Sequence, residues 1–339
     1  MNRPALFGRF GQLDVFEVVI RSDAGAEASI ISYGAGIRDL RIPIHQGLRR
    51  VLLGFNTLDD YVDNSRWHLG TVPGRVANRI GGGQFSLDGQ VYTLPRNQDG
   101  QHTLHSGVGG FGARVWSLLE YDERSVTLAL ISEDGDQGFP GSLTTTVTYR
   151  FLEPATLQIS YSAITSKSTP VNLTNHAYFN LDGTGNILSH RLVLEADYFT
   201  PTDKDLIPTG EVLGVCGTPW DFRKERPVLF ETADGPFHYD GNVVLRSSGK
   251  LAKAARVVSS MGDVAMEVWT TMPGLQFFDA ATLNVSASGL DGSVLQPRDG
   301  FCLEPQFFPD SINKPHFPSC VLTSDSVYRH QTEYRFCST

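Results

Sequence analysis

Hydrophobic and polar positions alternate with a period of two through much of the chain. Leu143, Thr145, Val147, Tyr149 and Phe151 interleave with Thr144, Thr146, Thr148 and Arg150. After a turn containing Pro154, Leu157, Ile159, Tyr161 and Ala163 interleave with Gln158, Ser160 and Ser162. This spacing predicts an antiparallel hairpin with one buried and one wetter face. Val126, Leu128 and Leu130 predict another strand, and Val264, Met266, Val268 and Thr270 a further one. Asp88-Gly89, set between apolar residues 85–87 and 91–94, predicts a tight hairpin, because both turn residues tolerate positive φ. Helical spacing is scarce. Residues 58–62 fit one or two helical turns, and residues 113–121 fit a helix or a strand equally. Alternating βα units are missing, which weighs against a doubly wound sheet. No repeat of fixed period and no Pro/Ser-rich linker divides the chain. The expected class is all-β: one large antiparallel β-sandwich over residues 1–339, with few short helices.

Composition narrows the function. The 339 residues include 28 Lys+Arg and 37 Asp+Glu, a net charge of −9. That balance, with no basic cluster, argues against nucleic acid or an anionic membrane as partner. A hydrophobic fraction of 40 % is too high for a disordered chain. No apolar run reaches the ~18–20 residues of a membrane span. Residues 1–20 lack the layout of a secretory signal, with Asp14 and Glu17 interrupting them. Cys216, Cys302, Cys320 and Cys337 show neither a CxxC pair nor a compact framework, so reduced thiols in a cytoplasmic protein are expected.

Several motifs are set aside. Gly107, Gly109 and Gly112 satisfy GxGxxG, but a polar loop precedes them where a dinucleotide site needs a hydrophobic strand. Their glycines instead suit close approach of backbone to a ligand. His102 and His105 lie three apart without the further donors of a zinc site. GxSxG and Walker A sequences are absent, and Gly81-Gly82-Gly83 reads as a turn.

Three polar clusters stand out from the β-rich background. They are Gly74-Arg-Val-Ala-Asn-Arg-Ile80, Asn172-Leu-Thr-Asn-His-Ala-Tyr-Phe-Asn-Leu181, and the segment from Leu303 to Asn313 headed by Glu304. His176 and Glu304 sit among apolar residues, not in a solvated charge run. Burial raises a carboxyl pKa, which brings it nearer to neutral-pH proton transfer.

Together these clusters resemble the aldose 1-epimerase (galactose mutarotase) family. Nine blocks over residues 34–336 follow the family's order. Leu53-Gly-Phe55 with Tyr61 is similar to LGF…Y, and residues 74–80 match GRxANRI in full. Asn97 with Leu104-His105-Ser106-Gly107 resembles N…LHGG, and Gly110-Phe111 with Trp116 resembles GF…W. Residues 172–181 resemble NLTNHxYFNL, and Pro208-Thr209-Gly210-Glu211 matches PTGE. Tyr239-Asp240-Gly241-Asn242 is similar to YDHN, and Leu275-Gln276-Phe277-Phe278 to LQxY. Glu304-Pro-Gln306 with Pro309-Asp310 and Asn313 resembles ExQxxPDxxN.

The resemblance implies a sugar held in an open cleft of a β-sandwich. It also implies interconversion of the α and β anomers of free aldohexoses, without cofactor or metal. It assigns Glu304 as general base, His176 as general acid and His105 as the group that orients and polarises the sugar. Asn78, Arg79, Asp240 and Gln276 take its sugar-contacting positions. Tyr178, Phe277 and Trp220 are candidates to pack on a sugar face, or else in the core. The partner is a small sugar, and monomer and homodimer stay open. Two alternatives share the fold: a non-catalytic sugar-binding protein, and an epimerase of phosphorylated hexoses, for which Arg223-Lys224-Glu225-Arg226 is the only basic run. Two positions depart from the pattern. Gly241 replaces a His, expected to loosen Asp240 or enlarge the pocket. Ser106 replaces a Gly, expected to reshape the sugar's near edge.

Overall fold

The computed structural model describes residues 3–338. Three antiparallel sheets carry most of its strands. The first takes Ala5–Phe10, Leu13–Arg21, Glu27–Ile31, Gly36–Ile44 and Gly47–Arg50 in chain order. The second has nine strands, in the order Ser117–Tyr121, Ser125–Ser132, Leu143–Leu152, Thr156–Thr165, Tyr328–Ser338, Val264–Thr270, Ala252–Val258, Arg191–Leu194 and Arg226–Pro227. The third runs Leu213–Gly214, Ala196–Thr200, Asp240–Leu245, Gly274–Phe278 and Cys302–Gln306.

The predicted hairpin lies within the nine-stranded sheet. Val147 pairs with Tyr161 and Tyr149 with Ile159, and all four side chains are buried, while Arg150 is exposed. Each such apolar side chain contributes about 1.5–3 kcal/mol when fully buried. The Asp88-Gly89 turn joins Gln84–Leu87 to Gln90–Thr93, with φ of 50° and 77° at its two residues. The helix expected near residue 58 spans Leu58–Asp63. Thr57 caps it by accepting the Asp60 backbone N–H at 3.2 Å, and Leu58 and Tyr61 form its buried side. Residues 113–121 resolve as a strand, Ser117–Tyr121, entered from a 3₁₀ turn at Phe111–Ala113. Leu118 packs on the core and Leu119 is exposed, and the pairing with Ser125–Ser132 shifts register between Leu118 and Glu120. No helix among the described residues is long and apolar enough to cross a membrane.

The third sheet positions the site through its register. Gln276 stands between Asn242 and Glu304, and Phe278 between Asp240 and Cys302. Side chains alternate across a strand, so Asp240, Gln276, Phe278, Cys302 and Glu304 share one face. Leu275, Phe277 and Leu303 take the other face and join the largest hydrophobic cluster. A strand with one apolar face and one polar, buried face is unusual, and here the polar face is the floor of a pocket.

Candidate active site

The pocket above that floor is an open cleft with about 530 Å³ of empty space, part of it continuous with solvent. Asn78, Arg79, His105, His176, Asp240, Gln276 and Glu304 all line it, with Arg66, Trp67, Tyr178, Phe278 and Thr282 among the remaining walls. The structure thus brings together every site residue expected from the sequence.

His176 and Glu304 approach one another with Nε2 and Oε1 3.7 Å apart. Both are almost fully buried. Burial lowers the His176 pKa to about 4 and pushes that of Glu304 well above the usual carboxylate range. Asp240 adds to the rise at Glu304, and Arg79 opposes it. The pair therefore favours one proton on the carboxyl and a neutral imidazole over a bare ion pair.

His176 is fixed by its backbone. Its N–H donates to Thr71 O at 2.9 Å, and its carbonyl accepts Gly70 N–H at 3.0 Å. The asparagines around it are structural. Asn172 exchanges two hydrogen bonds with the Phe307 backbone, at 2.9 and 3.3 Å, which ties His176's segment to that of Glu304. Asn175 donates to Gly70 O, and Asn180 to Gly185 O and Asp299 O, each at 2.8 Å.

The Asn78–His105 pair is built reciprocally. His105 N donates to Asn78 O at 3.0 Å, and Asn78 N donates to His105 Nδ1 at 3.1 Å. An accepting Nδ1 leaves the ring proton on Nε2. Burial holds the His105 pKa well below its usual value, so this imidazole is a neutral donor. Asn78 and His105 adopt left-handed backbone, with φ of 63° and 52°. Such residues cost about 1–3 kcal/mol each and persist where neighbours over-determine them.

The polar groups around Asp240 form one chain. Arg79 Nη2 donates to Asp240 Oδ2 at 3.3 Å, Gln276 Nε2 donates to Asp240 Oδ1 at 2.6 Å, and Gln306 Nε2 donates to Gln276 Oε1 at 3.3 Å. Arg79 Nε also donates to Gln98 Oε1 at 2.9 Å. Gln306 belongs to the Glu304-Pro-Gln306 block but drew no site role from the sequence, although it lies two residues beyond Glu304 and so on its face; Gln98 was not singled out. His68 was not singled out either. Its ring lies 4.5 Å from that of His105, and burial lowers its pKa to about 3. No motif surrounds it.

Of the three candidate aromatics, Phe277 takes the core alternative, packed on Tyr239 with ring centroids 4.8 Å apart, and its neighbour Phe278 faces the pocket. Tyr178 does line the pocket. Trp220 walls an adjoining cavity with Phe199 and Phe237. Gly107, Gly109, Gly110 and Gly112 are not among the residues that line the pocket. A Cβ on Gly110 would come 2.4 Å from His105 O, and one on Gly112 2.5 Å from His68 Nδ1, so these glycines let backbone pack behind the histidines. Ser106 is buried and points away from the pocket. Its Oγ accepts Val76 N–H at 2.8 Å and donates to Val76 O at 3.0 Å, which pins the 74–80 segment. Asp240 keeps two partners despite Gly241, and the space above Gly241 holds the Trp220 indole, 2.7 Å from where a Cβ would be. Gly241→His is expected to lower stability by about 1–3 kcal/mol through overpacking, read from the urea midpoint. An unchanged midpoint would show that the indole has another place to go.

His102 Nδ1 accepts Gly82 N–H at 3.0 Å, as His105 Nδ1 accepts Asn78 N–H. His176, Cys302 and Glu304 each place a donor atom within 4.8 Å of the others. Burial raises the pKa of both the Cys302 thiol and the Glu304 carboxyl, which opposes the deprotonation a cation requires.

This geometry can be set against known proteins. The aldose 1-epimerase family profile matches residues 17–335. The chain belongs to the aldose 1-epimerase family. Galactose mutarotase of Bos taurus is 41 % identical over 313 residues, covering 91 % of this chain and 90 % of that one. Aldose 1-epimerase of Escherichia coli K12 is 37 % identical over 332 residues, covering 94 % of each. The crystal structure of an aldose epimerase homologue from C. elegans superposes with a TM-score of 0.90 at 28 % identity, over 95 % of this chain and 99 % of that one. As an aldose 1-epimerase family member, the chain is an isomerase whose ligand is a small sugar. The polar chain from Arg79 to Gln306 suits such a ligand, because each sugar hydroxyl both donates and accepts.

Proposed function

We propose that Glu304 and His176 carry the interconversion of α and β anomers of free aldoses in this pocket. The supporting observation is the opposed carboxyl–imidazole pair at 3.7 Å on the pocket wall. In ring opening, Glu304 as carboxylate takes the proton of the C1 hydroxyl, and His176 as imidazolium gives one to the ring oxygen. The pair is left as carboxylic acid and neutral imidazole, the arrangement that burial favours. The C1 aldehyde turns about C1–C2. In closure, Glu304 returns a proton to the carbonyl oxygen as His176 takes one from the C5 hydroxyl. Acid and base exchange roles within the cycle, and no net charge enters or leaves the site. His105 Nε2–H orients the sugar and polarises a ring or C1 oxygen. Asn78, Arg79, Asp240 and Gln276 bind the remaining hydroxyls. The test is polarimetric: the optical rotation of fresh α-D-galactose or α-D-glucose decays faster with protein than in buffer. Equal decay across galactose, glucose, xylose, arabinose and fucose would overturn the reading.

A further inference from the structure

The acid–base cycle needs one ring nitrogen of His176 to exchange protons while the other keeps its own. Nε2 is the exchanging atom, since it faces Glu304. Most neighbours of the ring cannot enforce this. Tyr178 stacks on it at 5.1 Å and 26°, Phe278 and His105 meet it edge-on at 6.3 and 5.4 Å, and His68 lies 6.1 Å away. Such contacts hold the ring plane. They hardly distinguish the ring from its half-turn about Cβ–Cγ, which exchanges Nε2 with Cε1 and turns Nε2 away from the carboxyl. A polar partner at Nδ1 does distinguish them, and Cys302 Sγ sits 3.4 Å from Nδ1. Cys302 is fully buried, and it lies two residues before Glu304 on the same face of the same strand. One strand thus addresses both edges of the imidazole.

We infer that Cys302 is a positioning residue whose sulfur accepts the Nδ1–H of His176, fixing the tautomer and ring orientation that leave Nε2 to exchange protons with the sugar. This rests on the catalytic reading of His176 given above. In both halves of the cycle Nδ1 is protonated: the neutral ring carries its proton there, and the imidazolium carries both. Sulfur is a weak acceptor and brings no charge. Burial, with Glu304 and Asp240 nearby, keeps the thiol protonated by pushing its pKa well above the usual range. A carboxylate at this position would hold the imidazolium as an ion pair and oppose its return to the neutral form. A neutral, soft acceptor orients the ring without biasing its charge.

Nitrogen-15 NMR of the ring tests this directly, with His176 assigned by comparison with His176→Asn. The wild-type neutral ring is expected as the Nδ1–H tautomer, and an Nε2–H tautomer would overturn the inference. Cys302→Ala is expected to lower kcat about tenfold, with KM within about twofold and a mixed tautomer population. Cys302→Ser keeps an acceptor and is expected to restore the single tautomer and most of kcat. Equal kcat in the alanine variant, or the Nδ1–H tautomer kept without the sulfur, would also overturn it. The tautomer readout is independent of turnover. His176→Asn with full activity would instead remove the catalytic reading, whatever the tautomer.

Discussion

Replacing Glu304 with glutamine is expected to lower kcat for anomer interconversion by about 10²–10⁴-fold, with KM changed little. The amide matches the carboxyl in size but cannot take a proton from the C1 hydroxyl or return one to the aldehyde, so both halves of the cycle fail together. The loss corresponds to roughly 2.7–5.4 kcal/mol of barrier. Removing a buried carboxylate usually disturbs the fold. Here burial already holds Glu304 toward its neutral form, with its pKa raised well above the usual range. Burial thus disfavours the charge that the amide lacks, and the melting temperature is expected to hold. Polarimetry on fresh α-D-galactose measures the rate, and a thermal melt followed by circular dichroism measures the fold. A rate equal to wild type would remove Glu304 from the mechanism. A rate lost together with the fold would show that the carboxylate had been structural.

The features legible in the sequence were those written in local periodicity. Alternation in residues 143–163 marked a hairpin because each strand has one buried face, and a period of two is visible without knowing the partner. The spacing of residues 58–62 marked the short helix, and Asp88-Gly89 the tight turn, for equally local reasons. What escaped depended on register between distant segments. Phe277 and Phe278 are adjacent and chemically identical, and only their pairing with Leu303 and Cys302 decides which faces the core and which the pocket. Cys302 and Gln306 entered the site through the same register. His68 is brought beside His105 by a left-handed residue, φ 50°, at the end of a 3₁₀ turn, and single-residue composition does not announce that conformation. The polar motifs mixed two kinds of residue. In Asn172–Leu181 the asparagines brace backbone while His176 faces the pocket, and in Gly74–Ile80 the two arginines part company.

Arg79 lines the pocket, whereas Arg75 turns from it into the interior and is only 1 % exposed. Its Nη1 donates to Pro140 O, Gly141 O and Thr169 Oγ1 at 2.8, 2.9 and 3.1 Å. Its Nη2 donates to Ser132 Oγ, Ser132 O and Glu133 O at 2.8, 3.3 and 3.1 Å. No carboxylate pairs with it directly. Burial lowers its pKa to about 10, so the guanidinium is still charged at neutral pH and depends on these six acceptors for its solvation. Arg75→Met keeps much of the side-chain volume but strands four carbonyls in a space with little water. The expected cost is about 3–5 kcal/mol, as for breaking a buried charged network. It should appear as a lower urea midpoint with an unchanged slope. A second effect follows from the chain path. Arg75 O accepts Asn172 N–H at 3.0 Å and Asn172 O accepts Ala77 N–H at 2.7 Å, so Arg75 anchors the ladder that joins the Asn78–Arg79 segment to the His176 segment. Loosening that ladder displaces Asn78, Arg79 and His176 together, and KM is expected to rise as kcat falls. Arg79→Met makes the contrast: it removes single bonds to Asp240 and Gln98 at the pocket wall, and the midpoint is expected to move less than in Arg75→Met, while KM is expected to rise. If both arginine variants moved the midpoint equally, the division of this motif into one bracing and one binding residue would be wrong.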